Sequence, residues 1–246
     1  MGRYTTINSS LDDEKEADRY ALPLEVYLSL KQEKNLHLSI PREECTCGYL
    51  DGVFSSLLAQ YNVDDLLTIR NPEYKKGKEL FLVCLFAYII RESDNKNHQY
   101  DICLPLKDRG TDAYVREIDR KNSLIIHHPI QICEMPEKYL NQKERLSNPV
   151  NWVFNFIKKT KLKHYPKSAD ALLVWLEFNR DYFLNIANLR QLLLNQTTIP
   201  FSQIVIMGRG KGDFFIVCSV YSRNSENDFC FQYNYKNKEV LGFNIV

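Results

Sequence analysis

Four side chains in the middle of the chain carry the oxygen atoms that a hard metal ion prefers. Asp112 opens one predicted strand, while Gln131 and Glu134 lie on the next. Glu79 lies near the start of a predicted helix. Magnesium needs only one or two carboxylates, with carbonyl oxygens, water and substrate phosphates completing its shell. Such side chains suit phosphate chemistry if the strands and the helix bring them to one place.

Each of these four residues also has a structural interpretation. Asp112 adjoins a turn, where acids are commonly solvated or cap a backbone group. Gln131 interrupts an apolar strand, and a buried amide needs hydrogen-bond partners whatever its function. Glu134 is close to Lys138 and suits a simple salt bridge, and Glu79 favours the positive end of a helix dipole. These interpretations remain open beside the chemical one.

Side-chain alternation along the strand limits which groups can act together. Gln131 and Cys133 are two residues apart and share a face, whereas Glu134 points to the opposite side. A bulge after His128-Pro129 would be needed to re-aim Glu134. His127 and His128 are neighbours on the same strand, so they point to opposite faces, and we interpret them as core or surface histidines rather than a shared metal site.

Basic residues that suit a nucleic-acid backbone occur in two segments. The first ends a predicted helix, and the second lies in the turn Gly208–Gly212, which lacks the spacing of a phosphate-binding P-loop and is followed by a strand. Both segments also fit a purely structural interpretation, the first as a solvated helix end and the second as a flexible hairpin turn. The phosphate contacts predicted from them are Lys159, Lys161, Lys163, Arg209 and Lys211.

The order of elements predicts an α/β (α+β) protein with a mixed central sheet. A buried helix (Lys78–Glu92) precedes three strands joined by short polar turns, which indicates an antiparallel meander. A helix capped at Ser147-Asn148-Pro149 then leads to a strand that is buried on both faces. The predicted strands are Tyr100–Leu106, Thr111–Ile118, Leu124–Met135 with an interruption near His128-Pro129, Ala171–Phe178, Ile204–Met207, Phe214–Val220 and an edge strand at Phe229–Tyr235.

The first third of the chain differs from the rest. It contains short predicted helices at Leu50–Tyr61 and Val63–Ile69 and a turn at Cys45-Thr-Cys-Gly. We therefore divide the chain into a mostly helical extension, residues 1–75, and an α/β domain, residues 76–246. The pair Cys45 and Cys47 has no second Cys or His pair nearby, which argues against zinc.

Composition excludes several protein classes. The formal net charge is +1 and supplies no global attraction to nucleic acid or anionic lipid. The longest apolar run, Leu80–Ile90, is shorter than the roughly 20 residues that span a bilayer. No secretory signal is visible, and the seven cysteines are odd in number and scattered. We expect a cytoplasmic protein with reduced thiols and no membrane contact, in which Cys84, Cys103, Cys133, Cys218 and Cys230 act as small hydrophobic residues.

The order from Lys78 to Met207 resembles the core of the PD-(D/E)xK nuclease superfamily, with its restriction-endonuclease-like fold. Asp112 begins the second meander strand, where that family has its metal-binding Asp, although Thr111 replaces the usual Pro. Gln131 and Cys133 fall at the family's acid and lysine positions. The resemblance implies that Asp112, Gln131 and Glu79 bind the metal, and that the catalytic residues are Asp112, Gln131, Glu134 and a lysine that has moved to Lys158 or Lys159.

The function implied by this resemblance is a magnesium-dependent DNA endonuclease or related phosphodiesterase, acting alone, with a protein partner or as a homodimer. Because Cys133 replaces the strand lysine, a second interpretation is a catalytically degenerate scaffold or interaction subunit of a nucleic-acid-processing complex. A third interpretation is an unrelated α/β protein that binds a partner through its first third.

Overall fold

The computed structural model describes a set of separate segments of the chain. They are residues 13–15, 17, 27–28, 31, 37–38, 45–68, 72–93, 98–106, 111–122, 124–135, 148–162, 171–177, 184–210, 213–223, 229–237 and 239–243. Two positions predicted to contact phosphate, Lys163 and Lys211, lie outside them, as does Lys138.

The described elements comprise ten strands, five α-helices and one π-helix. The strands are β1 (His37–Leu38), β2 (Cys45–Tyr49), β3 (Gln99–Pro105), β4 (Ala113–Asp119), β5 (Leu124–Met135), β6 (Ala171–Leu176), β7 (Gln203–Arg209), β8 (Phe214–Ser222), β9 (Cys230–Asn234) and β10 (Glu239–Phe243). The helices are α1 (Leu50–Gln60), α2 (Val63–Thr68), α3 (Pro72–Ser93), α4 (Pro149–Ile157), the π-helix (Lys158–Leu162) and α5 (Ile186–Leu194).

One mixed sheet joins all the strands, and it confirms the predicted mixed α+β class. Nine strands follow each other in the order β10-β9-β8-β7-β6-β5-β4-β3-β2, while β1 pairs with β5 outside this path. The meander β3-β4-β5 is antiparallel, and β5, β6 and β7 are parallel. Strand β2, predicted as a turn, pairs with β3, and β10 extends the sheet beyond the predicted edge strand.

Strand β5 is continuous, so the predicted interruption at His128-Pro129 is wrong. Pro129 pairs with Tyr114 of β4. The carbonyl of Ile130 accepts from the Asp112 amide, so Ile130 faces β4 and the adjacent Pro129 backbone faces the other edge. On that edge β1 pairs with Leu124 and Ile125, and β6 begins only at Ile130. Proline is tolerated at this position because neither β1 nor β6 pairs with it, so its missing N–H leaves no hydrogen bond of the sheet unmade.

Two hydrophobic cores lie on opposite faces of the sheet. Helices α1, α2 and α3 pack on one face, where Phe81 to Ile89 are all buried, as the apolar pattern predicted. Helices α4 and α5 pack on the other face. The predicted domain boundary at residues 75/76 falls inside α3, which begins at Pro72. Residues on both sides of that boundary share one core, because Leu66 and Leu67 belong to the same cluster as Phe81. No helix in the described segments has the length and apolar character needed to cross a membrane.

Four of the seven cysteines form disulfides, which corrects the expectation of reduced thiols. Cys47 is bonded to Cys103, and Cys218 is bonded to Cys230. In each case the two residues face each other directly on adjacent antiparallel strands, a relation that residue spacing does not reveal. Cys45, Cys84 and Cys133 remain as thiols.

We expect alkylation of the unfolded, unreduced protein to add three groups per chain, on the three free cysteines. Reduction before alkylation is expected to raise the number to seven, the total in the sequence. Intact-mass spectrometry measures both states. Seven groups without prior reduction would show that the two cross-strand bonds do not form.

Candidate functional site

The candidate site lies where β5 leaves β4 and continues beside β6, which we call the fork (Asp112 with residues 131–134 of β5). The Asp112 amide donates to the Ile130 carbonyl at 3.0 Å. Its carboxylate accepts from the Ile132 amide at 2.7 Å through Oδ2. Asp112 thus caps the backbone group that β4 no longer reaches, and its side chain is fixed at the edge of the sheet.

Within the fork, β5 presents different groups to the two faces of the sheet. Cys133 packs in the core beneath α4, whereas Ile132 packs in the core beneath α3. The register with β6 is uninterrupted from Ile130 to Met135, so no bulge re-aims Glu134. Glu134 therefore lies on the α3 face, opposite Gln131, which favours the alternative in which these two residues do not act together on one ion.

On the α4 face, the lysine that reaches the fork is Lys161. Its Nζ lies 3.4 Å from the Gln131 Oε1, and Gln131 is only 1% exposed. The neighbouring Thr160 hydroxyl lies 3.8 Å from the Cys133 sulfur and donates to the Phe156 carbonyl at 2.6 Å. A Thr bonded back to a carbonyl competes with the helical ladder, and here the chain continues α4 as a π-helix. That wider turn carries Lys161 to Gln131.

Lys158, predicted to be the catalytic lysine, lies elsewhere. Its Nζ lies 5.6 Å from the centre of the Phe154 ring, on its own helix. In a regular α-helix residues three apart share a face, and the π-helix breaks that relation between Lys158 and Lys161. Lys161 thus contacts Gln131, and the catalytic role predicted for Lys158 stays a prediction. Lys159 is exposed on the same turn.

On the α3 face, a buried ammonium joins three elements. Lys78 of α3 is 4% exposed, and its Nζ lies 2.9 Å from Glu134 of β5 and 4.0 Å from Glu177. Glu177 directly follows β6, and its amide donates to the Met135 carbonyl at 3.2 Å. Neither Lys78 nor Glu177 was predicted as a site residue. The available signal was a carboxylate that ends the fully apolar run Ala171–Leu176.

Glu79 belongs to the same electrostatic group. Burial raises the pKa of its carboxyl above the usual 4.5, the negative charge of Asp112 raises it further, and Glu134 adds to the effect. Lys75 opposes these effects from a distance of 3.5 Å between its Nζ and the Glu79 Oε1. Glu79 and Asp112 thus lie near enough to repel each other.

The side chains at the fork carry oxygen donors, the type that magnesium prefers, and lack the ligands of a structural zinc site. A divalent cation between Asp112 and Glu79 would relieve their mutual repulsion, and the Gln131 amide oxygen is a hard neutral ligand. Structural zinc sites need four Cys or His-type ligands in a closed shell. Within the described segments, no group of three or more His, Cys, Asp or Glu side chains has the arrangement of a metal site. Water and substrate would have to complete the shell.

Replacing Glu79 with Gln is expected to raise the Tm at pH 7. The folded state holds the Glu79 proton more tightly than the unfolded chain, so stability is lost as the pH rises from about 4.5 through the raised pKa. Gln removes that loss, and the forfeited pair with the largely exposed Lys75 contributes little. The gain should shrink as the pH falls toward 4. Thermal unfolding of both proteins at several pH values measures this, and an equal or lower Tm at pH 7 would contradict the electrostatic assignment.

The other predicted contacts have different surroundings. Arg209 Nη1 donates to Asp64 Oδ1 at 2.7 Å, so this guanidinium joins β7 to α2 instead of presenting an isolated charge for phosphate. His127 packs edge-on against the Tyr114 ring, and His128 Nε2 lies 2.9 Å from Glu117. The two histidines therefore have separate partners, as predicted. Comparisons of the chain with protein-family models, curated proteins and solved structures found no significant match.

Proposed function

We propose that the chain is a magnesium-dependent, nuclease-like phosphodiesterase that acts on DNA at the fork. The observation that carries this proposal is the position of Asp112 at the fork, where its charge acts on Glu79 of α3 and where the adjacent strand carries the Gln131–Lys161 pair. Asp112 and Glu79 repel each other, and on the α4 face Lys161 approaches the Gln131 amide oxygen. This combination offers a place for a hard cation and a positive charge beside it.

The order of elements supports the same proposal. Helix α3, the meander β3-β4-β5, helix α4 and the parallel strand β6 follow in the sequence expected of a restriction-endonuclease-like core, with α3 and α4 on opposite faces. Asp112 stands at the start of the second meander strand, and Gln131 and Cys133 share a face on the third. The additional strands β1, β2 and β7 to β10 extend this proposed core on both sides.

In the proposed reaction each residue has a distinct role. Asp112 and Glu79 would hold Mg²⁺, which would supply polarisation of the phosphoryl oxygen and activation of water. Lys161 would stabilise the negative charge that develops on the phosphate, and Gln131 would orient its ammonium. Glu134 would not contact substrate, because its carboxylate is paired with Lys78.

Recognition of DNA would be local. With a formal net charge of +1, the whole molecule exerts no long-range attraction, so phosphate contacts must come from a cluster near the fork. The π-helix provides one, because Lys158, Lys159 and Lys161 lie within its single turn. A protein partner or a second copy of the chain belongs to this proposal, whereas the two disulfides remove the reduced thiols on which the predicted cytoplasmic location rested.

Replacing Lys161 with Met is expected to lower the rate of magnesium-dependent DNA cleavage about a hundred-fold, the scale found when one charge-stabilising donor is removed. Lys158→Met is the matched control, because it removes a lysine three residues away whose ammonium contacts Phe154. Initial rates on supercoiled plasmid compare the two. Equal losses in both variants would mean that general charge, rather than contact with Gln131, supports the reaction.

The second candidate function is a non-catalytic scaffold with a degenerate nuclease-like fold. Cys133 favours it, because a thiol that is 8% exposed stands at the position where the family carries its lysine. Burial raises the pKa of this thiol, so it does not replace a cation. A magnesium titration monitored by calorimetry in the presence of DNA separates the two functions. Heat release with cleavage supports the enzyme, and DNA binding without either supports the scaffold.

A further inference from the structure

Lys78 is the most deeply buried charged group beside the fork, and it serves no role in the proposed reaction. Only 4% of its surface is exposed. Its Nζ forms a 2.9 Å hydrogen bond with the Glu134 Oε2 and lies 4.0 Å from the Glu177 Oε1. A buried ammonium between two carboxylates occupies the position that a cation would otherwise take, since isolated charges are rarely left without a counter-ion in a protein interior.

The carboxylates around the fork fall into two sets, according to whether Lys78 contacts them. Burial raises the pKa of the Glu79 carboxyl, and the negative charge of Asp112 raises it further. Glu134 and Glu177 are instead held by Lys78. Two carboxylates with water suffice to bind a small divalent ion, so Glu134 and Glu177 would have the composition of a second cation site without the lysine.

We propose that Lys78 is a built-in counter-ion that limits the fork to a single divalent cation, held at Asp112 and Glu79. The Lys78 ammonium is hydrogen-bonded to Glu134, and its positive charge repels any second cation at that carboxylate. Its three donors can serve both carboxylates at once. This inference rests on the proposed function, because it presupposes the first cation.

The test is the number of Mn²⁺ ions bound per full-length chain, measured without DNA by electron paramagnetic resonance of the free ion. We expect one ion in the natural protein and none in Asp112→Asn. Lys78→Ala is expected to bind two ions, because Glu134 and Glu177 lose their counter-ion. Lys76→Ala, which removes an exposed lysine from the same helix, is the matched control and should bind one.

Any other number of bound ions would overturn a specific claim. Two ions in the natural protein, or one in Lys78→Ala, would overturn the role of Lys78 while leaving the proposed function intact. No bound ion in the natural protein would overturn both. Lys78→Gln, which keeps a donor for Glu134 but removes the charge, provides a second variant with the same expected gain if Lys78→Ala does not fold, and circular dichroism verifies the folded state of each.

Discussion

Asp112→Asn is expected to lower the rate of magnesium-dependent DNA cleavage by about a thousand-fold while the protein remains folded. The metal contributes several kcal/mol of transition-state stabilisation, and each 1.36 kcal/mol corresponds to about ten-fold in rate. Asparagine keeps an oxygen that can accept from the Ile132 amide, as the carboxylate does at 2.7 Å. The charge is lost, and the cap on β5 is kept. Plasmid nicking at saturating Mg²⁺ measures the rate.

Two further variants serve as the comparison and the control for this result. Asp112→Ala removes the acceptor as well as the charge, so it should also destabilise the fold by about 1–3 kcal/mol, the cost of leaving a buried donor unsatisfied. Asp64→Asn changes an exposed acid that binds Arg209, and it should leave cleavage unchanged. Full activity in Asp112→Asn, with the same Tm as the natural protein, would remove Asp112 from the site.

Lys78→Met is expected to destabilise the fold by about 2–4 kcal/mol. Breaking a fully buried ion pair typically costs about 3–5 kcal/mol, and the figure here is lower because Glu134 is 32% exposed. In a domain of this size such a loss lowers the Tm by about 5–15 °C. The cost arises from the two carboxylates left without their ammonium, and not from the loss of volume, because Met fills a similar space.

A triple variant, Lys78→Met with Glu134→Gln and Glu177→Gln, tests that explanation. Neutralising all three members removes the unpaired charges, so the triple variant should recover most of the stability lost in Lys78→Met. Urea unfolding followed by tryptophan fluorescence compares the free energies of unfolding. A triple variant that is less stable than Lys78→Met would show that the ammonium acts through packing and not through charge.

The parts of the fold that could be predicted were those with strong local periodicity. The apolar run in α3, the alternation in β5 and the Pro149 helix start each depend on a few neighbouring residues, and they lie where the sequence placed them. Strand β2 was missed because Cys45-Thr-Cys-Gly carries few residues with strand preference. It forms through pairing with β3, a contact more than fifty residues away.

The sequence indicated residues of the candidate site that carry oxygen atoms, but it did not indicate which lysines contact them. Asp112 and Gln131 were found from their place on the strands. Lys161 was assigned to phosphate contact and Lys158 to catalysis, and the contact of Lys161 with Gln131 forms in a π-helix that no local pattern predicts. Lys78 and Glu177 were missed for another reason. Their partnership joins α3 to the end of β6, and no local pattern marks a buried ion pair formed across a sheet.

The most direct test is an anomalous difference map from a crystal of the full chain grown with MnCl₂, collected at the manganese absorption edge. A single peak within coordination distance of both the Asp112 and Glu79 carboxylates is predicted, with Lys78 still bound to Glu134. A peak remote from the fork, or none there at saturating manganese, would contradict the claim that these strands and α3 together form a cation site.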